Sequence, residues 1–307
     1  MSDPLLANPP KHTLRSRLQD AAYYALYHTL RYAPIDLVSD IGSAFVRWSV
    51  PRNRPWIIEG ARNNLTRRWP HAEPAAIDKG IRSFLDNVGR LMAEFAVLPR
   101  LHDAGRISVT ECFERGATTV GQAPTVAIVL HTGNWEVCAA ALHARGLSVA
   151  DFAIPPETWA QRVIATKVRK QLGIRMLSPD ARGLLDARRE LQNGGTVSIF
   201  CDEARNGVSM APFFGRPPHG NGNLATAAWL ARKANCRLVV VNCRRLHKSR
   251  FLIDATDYFD LPPAASTGEK HALADVAFLN AVIEPLILAN LDQWYFLDNS
   301  AELQVSA

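Results

Sequence analysis

The chain has 307 residues, 48% hydrophobic and 21% charged, with a mean hydropathy of −0.07, which excludes disordered, collagen-like and disulfide-scaffold classes and leaves one large or two small globular domains. The net charge of +6 is uneven: residues 1–70 hold ten Lys/Arg against five acids, a net of +5, while the other 237 residues carry 25 against 24. An anionic partner met by the N-terminal segment follows, and a membrane surface or a nucleic acid would both answer to that charge.

Residues 13–50 place apolar and aromatic side chains at helical spacing. Leu14, Leu18, Ala22 and Leu26 form one stripe with Tyr23, Tyr24 and Tyr27 beside it, and Leu37, Ile41, Phe45 and Trp48 form a second after Pro34. Arginines flank both stripes. Basic flanks with Tyr and Trp suit interfacial helices, because the rings sit at headgroup depth while the cations meet anionic lipid. A helix pair packed on its own domain fits the spacing equally well. The runs at 32–46 and 272–291 are broken by Asp36 and Asp40 and by Asp275 and Glu284, so neither a spanning helix nor a cleavable signal peptide is expected, and attachment should be peripheral. Residues 1–70 are therefore taken as basic, amphipathic, membrane-associating helices, and 71–307 as an α/β domain.

Ile81, Phe84, Leu85, Val88, Leu91, Met92 and Phe95 follow the i, i+3, i+4, i+7 rule and predict an amphipathic helix with a core face. After it the pattern changes. Buried strands are expected at 125–130 (TVAIVL), 196–201 (TVSIFC) and 237–243 (RLVVVNC), with helices at 137–144, 156–172, 182–193 and 224–235. Strands alternating with helices give an α/β fold with a mostly parallel central sheet flanked by helices. Residues 262–268 read as a loose loop. The five cysteines, Cys112, Cys138, Cys201, Cys236 and Cys243, form no CxxC pair and read as reduced, buried thiols rather than a disulfide frame or a zinc site.

Ligands of open α/β sheets bind at the carboxyl ends of strands. His131 directly follows the first run, in the string His131-Thr132-Gly133-Asn134-Trp135-Glu136, and Asp202 and Glu203 follow the second. A histidine at a strand end with a carboxylate five residues on makes a general base and its orienter, able to deprotonate a hydroxyl. Gly133 would let the turn tighten, and N–H groups at the start of the next helix would stabilise an oxyanion. A hydrogen-bonded histidine without catalytic duty fits the same pattern. GxSxG and Walker A sequences are absent, and Gly220, Gly222 and Ala225 spell G-x-G-x-x-A after prolines instead of a strand, so it reads as a loop. Histidine spacing supports no metal. No nucleic-acid motif organises the basic residues, which leaves a lipid surface as the preferred partner and no nucleic acid.

The HTGNWE string after an apolar strand, followed by residues 202–215 (DEARNGVSMAPFFG), 223–232 (NLATAAWLAR) and an upstream block with Arg62, Asn64, Leu65 and Pro70, resembles the bacterial lipid A late acyltransferases. These include lauroyl and myristoyl transferases, of the lysophospholipid acyltransferase-like superfamily. The resemblance implies transfer of an acyl group from an acyl thioester, carried by acyl carrier protein or CoA, to a hydroxyl of a membrane glycolipid. The reaction would run at the cytoplasmic face of the inner membrane, without an acyl-enzyme and with no cofactor beyond the thioester co-substrate. It assigns the base to His131 and its orientation to Glu136, and it puts Asn134, Asp202, Arg205, Phe213 and Gly215 at the substrates, with Arg162 and Arg169 as the expected spatial stand-ins for an arginine the family usually carries and this chain lacks. Asp202 would position the acceptor or pair with Arg205, or else cap the strand end. Phe213 and Gly215 would lie near the acyl chain or cleft. Two departures stand out: Ile154, Pro155 and Pro156 occupy the place of the family's Arg-Pro pair, and residues 294–299 (WYFLDN) replace its basic ending. A non-catalytic lipid-binding or assembly protein of the same fold, or a thioesterase, remain competing readings.

Overall fold

Helices fill the first third of the chain. In the computed structural model, which describes residues 13–152, 154–205, 208–263 and 268–298, α1 (Leu14–Leu30) opens on Thr13, whose hydroxyl accepts from the Ser16 amide. Pro34 then separates it from α2 (Ile35–Asn53). Two further helices, α3 (Pro55–Arg68) and α4 (Pro74–Glu94), carry proline in the first turn, where a missing N–H costs nothing. A short α5 (Leu98–Leu101) leads to the sheet.

The α/β part runs β1 (Ile107–Val109), α6 (Glu111–Ala117), β2 (Thr125–Val129), α7 (Glu136–His143), β3 (Val149–Phe152), α8 (Trp159–Gln171), β4 (Ile174–Leu177), α9 (Ala181–Gln192) and β5 (Thr196–Phe200). It continues through the small hairpin of β6 (Ala204–Arg205) and β7 (Val208–Ser209) to α10 (Asn223–Ala234), β8 (Arg237–His247), β9 (Arg250–Ala255) and α11 (Glu269–Leu288). Seven strands form one sheet in the order β1-β9-β8-β2-β5-β3-β4. Every pair is parallel except the β8–β9 hairpin, so the mostly parallel α/β reading holds. The three expected runs are the adjacent central strands β8, β2 and β5, buried on both faces as continuous apolar segments must be. Val129 stands opposite both Phe200 and Val241, so β2 and β5 end at one level and His131 and Asp202 emerge side by side.

Alternation along the strands divides the sheet's two faces. Val126, Ile128, Leu130, Val197, Ile199 and Leu238 point into a core shared with α4, α9, α10 and α11. The opposite face, with Thr125, Ala127, Val129, Ser198 and Val241, lies under α6 and α7. The row Val276, Leu279, Ile283 and Ile287 of α11 is buried in the first core. Within α11, Lys270–Leu288 is nevertheless long and apolar enough to cross a membrane (19 residues, hydropathy 1.5), which the interruptions at Asp275 and Glu284 had argued against. Asp275 is buried in an ion pair with Arg232, at 2.6 Å, within the packed domain.

The two N-terminal stripes face outward. Leu14, Leu18, Leu26, Leu37, Ile41, Phe45 and Trp48 are all exposed, from 47% to 77%. The buried positions of these helices are instead Tyr27, Ile35, Val38 and Val50, with Ser39 and Ser43. The stripes themselves do not pack on the chain's own domain; the helices do so through these buried positions. α2 is held to α4 through Gly42 and Gly89, where a Cβ on Gly89 would stand 2.4 Å from the Gly42 carbonyl oxygen; only hydrogen fits at this crossing.

Candidate active site

His131 leaves β2 with its backbone N–H donated to Asp202 Oδ2 at 2.7 Å and its ring Nδ1 3.0 Å from Asp202 Oδ1. Trp294 Nε1 donates to Asp202 Oδ2 at 3.0 Å. Asp202 is fully buried, and donors surround it, as a buried carboxylate requires. With Nδ1–H given to the carboxylate, the imidazole presents Nε2 outward, and the aspartate fixes the tautomer. Phe200, Trp135 and Phe296 enclose the ring, with centroids at 4.4, 4.7 and 5.1 Å.

The turn after His131 is built by buried polar groups. Gly133 takes φ +59°, and a Cβ there would meet the Cys243 carbonyl oxygen at 2.6 Å, so the tightening expected of this glycine is realised. Its carbonyl accepts from Asn87 Nδ2 at 3.0 Å. Asn134 Nδ2 donates to Glu94 at 2.9 Å. Glu94, itself fully buried, also receives Arg245 through Nη1 at 2.6 Å and Nη2 at 3.0 Å, and the Ser39 hydroxyl at 2.7 Å. On the C-terminal side, Tyr295 N–H donates to the His131 carbonyl at 2.9 Å, and Gly133 N–H donates to Gln293 at 3.2 Å.

Two cavities meet beside this histidine, at the Trp135 and Phe200 rings that pack on it. A mouth of about 620 Å³ at the carboxyl ends of the strands is lined by His131, Glu136, Arg169, Glu203 and Asn223 among others. A narrower slot of about 80 Å³ runs beneath the sheet, past Ala127, Val129, Cys138, Leu142 and Val239, and ends at Gly116, Thr125 and Tyr258. From His131 back to Thr125 the strand spans roughly 20 Å at about 3.3 Å per residue. Trp135, Glu136, Asp151 and Phe200 line both cavities and so form the neck between them.

A model of the bacterial lipid A biosynthesis acyltransferase family matches residues 9–300. The chain belongs to that family. A comparison with curated proteins found no match. The protein is thus an acyltransferase of lipid A biosynthesis type, from a membrane-associated family whose substrates are an acyl donor and a lipid acceptor.

The geometry of this acyltransferase reassigns several residues. Glu136 makes no hydrogen bond to His131; its carboxylate takes Arg169 Nη2 at 2.7 Å, because α7 begins at Glu136 and turns the side chain towards α8. Asp202, not Glu136, is the carboxylate on the imidazole. Asn134 is buried and spent on Glu94, so it holds the turn and does not line the mouth. Phe213 is also buried, its N–H given to Asn280 on α11 at 2.8 Å, and neither it nor Gly215 lines the mouth. The neighbouring Phe214 packs on Trp294 beneath the site. Arg162 Nε donates to the Pro156 carbonyl at 2.7 Å and stands outside the cavities. Arg169 does line the mouth, and the side chain of Arg205 lies outside the described residues. Within the ending WYFLDN, Trp294 supports Asp202, and Tyr295 and Phe296 approach the histidine ring.

Asp151 was not anticipated. It sits on β3 inside the neck, its carboxyl pushed up to about 7 by burial, partly opposed by the charge of Arg169. The sequence does hold a signal, an acid in the otherwise apolar strand VADF. The native state therefore keeps a proton that the unfolded chain releases near 3.8, and stability falls as pH rises from the unfolded value through about 7. Chemical denaturation of wild type and Asp151→Asn should show the variant gaining about 2–3 kcal/mol relative to wild type between pH 5 and pH 8. Parallel pH profiles would contradict the burial of an ionisable group here.

Proposed function

We propose that the protein moves a fatty acyl group from a thioester of acyl carrier protein or CoA to a hydroxyl of a membrane glycolipid at the cytoplasmic face of the inner membrane. The observation that carries this reading is the position of His131, between a polar mouth and an apolar slot and with its outward nitrogen left for substrate. The acyl chain occupies the slot, with the thioester carbonyl at the neck. His131 Nε2 takes the proton of the acceptor hydroxyl as that oxygen attacks the carbonyl carbon. Collapse of the tetrahedral intermediate breaks the C–S bond, and the proton passes from His131 to the departing thiolate. No acyl-enzyme is needed, and no cofactor enters. N–H groups at the start of α7 stabilise the oxyanion. Asp202 orients the base and balances the imidazolium, while the Arg169–Glu136 pair shapes the mouth for polar parts of the substrates.

Membrane docking falls to α1–α3. Their outward stripes are joined by Trp56, and cations lie over the rings: Arg31 is 5.0 Å from the Tyr32 centroid and Arg52 is 5.2 Å from that of Trp48. Such rings and cations together suit the interface of an anionic bilayer. A cavity of about 550 Å³ continues from Phe45 and Met92 to Tyr295, whose ring lies 5.3 Å from Trp135. It offers the acceptor a path from the bilayer side towards the histidine.

His131→Ala should lower transfer from acyl carrier protein or CoA thioesters to glycolipid by at least a hundredfold while the protein stays folded, and Asp202→Asn should cost more than Glu136→Gln. An active His131→Ala variant would overturn the mechanism. Replacing Arg15, Arg17, Arg31 and Arg47 with Gln should weaken sedimentation with anionic liposomes, and the wild-type binding should fall with added salt. Unchanged liposome binding would sink the docking surface and leave the chemistry intact.

A further inference from the structure

The slot carries more oxygen than a plain hydrocarbon chain calls for. Its sheet face presents Thr125, Thr196, Ser198 and Asp151 among the aliphatic side chains. Asp151 is 7% exposed and Thr196 is 4% exposed. Asp151 Oδ1 and Thr196 Oγ1 are both buried without a hydrogen-bond partner. The Ser198 hydroxyl beside it donates to the Ala150 carbonyl at 3.4 Å, and Arg169, whose charge acts on Asp151, is paired with Glu136 at 2.7 Å. A buried carboxyl oxygen left unpaired is costly, and a site that keeps one is completed by whatever supplies its partner.

The place of Asp151 limits what that partner is. Asp151 pairs with Ser198 in the sheet register, two residues before Phe200, whose ring lies 4.4 Å from that of His131. Two residues of strand are about 7 Å, so the carboxyl stands just inside the neck, beside the first carbons after a thioester carbonyl held at His131. Resting on the acyl-transfer reading above, we propose that the donor is a hydroxyacyl thioester, and that Asp151 hydrogen-bonds a hydroxyl on its second or third carbon. The protonated carboxyl donates to that hydroxyl and the ionised form accepts from it, so recognition survives either state. Plain acyl chains leave Oδ1 unpaired and are disfavoured. Asp151 acts here on selection of the donor, and the proton transfer stays with His131.

The test separates binding from turnover. Methyl 2-hydroxytetradecanoate, methyl 3-hydroxytetradecanoate and methyl tetradecanoate are each used to displace a fluorescent fatty acid from the full-length protein. Wild type should bind one of the hydroxy esters roughly tenfold or more tighter than the plain ester. Asp151→Leu, which fills the neck with an apolar group, should abolish or invert that preference, and Asp151→Asn, which keeps hydrogen-bonding capacity, should retain part of it. Equal binding of all three esters by wild type, failure of all three to displace the probe, or an undiminished preference in Asp151→Leu would each overturn the proposal. Thioesters of the same chains then report on the reading it rests on. A hydroxy ester preferred in binding, with no transfer from any thioester, removes acyl transfer and keeps the site; efficient transfer from all donors with equal binding does the reverse.

Discussion

The Asp202 carboxylate is the point on which the site depends. It is fully buried and satisfied by the backbone and ring of His131 and by the indole of Trp294, so it ties the ends of β2 and β5 to the segment after α11. Each contact constrains a different group. The backbone N–H fixes where β2 stops, the bond to Nδ1 fixes the tautomer of the imidazole, and the indole brings in a residue 92 positions away in sequence. Withdrawing one donor from a buried carboxylate costs stability, so the contacts that satisfy Asp202 are the same ones that hold the His131 ring in line.

A second buried charge supports the first. Glu94 and Arg245 form an ion pair at 2.6 Å in which neither side chain is more than 6% exposed, and Asn134, Ser39 and Asn87 complete it. Desolvating both ions is expensive, and an apolar replacement of similar volume is often no less stable. What the network provides is position. It joins α2, which carries part of the exposed apolar face, and α4 to β8 and to the turn that follows His131. The N-terminal helices and the turn after His131 are thereby parts of one polar framework.

Much of the fold could be read from the chain because its signals were local. The central strands are unbroken apolar runs, the helices between them have clear periodicity, and their boundaries fall within a few residues of those expected. The outer strands β1 and β9 on one side and β3 and β4 on the other are short or polar enough to hide among loops. The candidate site divides in the same way. His131 and Asp202 stood out as ionisable groups at strand ends, and Gly133 as the residue its turn needs. Their partnership did not, since the register that sets β2 beside β5 is a tertiary fact, and the nearer carboxylate in sequence, Glu136, was captured by Arg169 from α8. Trp294 was hidden for the same reason, as an indole far along the chain in a segment first noted only for lacking basic residues. The Phe213–Gly215 block drew attention through the resemblance, and its place against α11 follows from aromatic burial, not from substrate.

The carboxylate on the histidine is Asp202 and not Glu136. Nitrogen NMR of the His131 ring, recorded on protein labelled with ¹⁵N-histidine, tests it directly in wild type and in Glu136→Gln. The account predicts that neutral His131 carries its proton on Nδ1 in both proteins, with Nε2 unprotonated. A proton that moves to Nε2 when Glu136 is neutralised would contradict it.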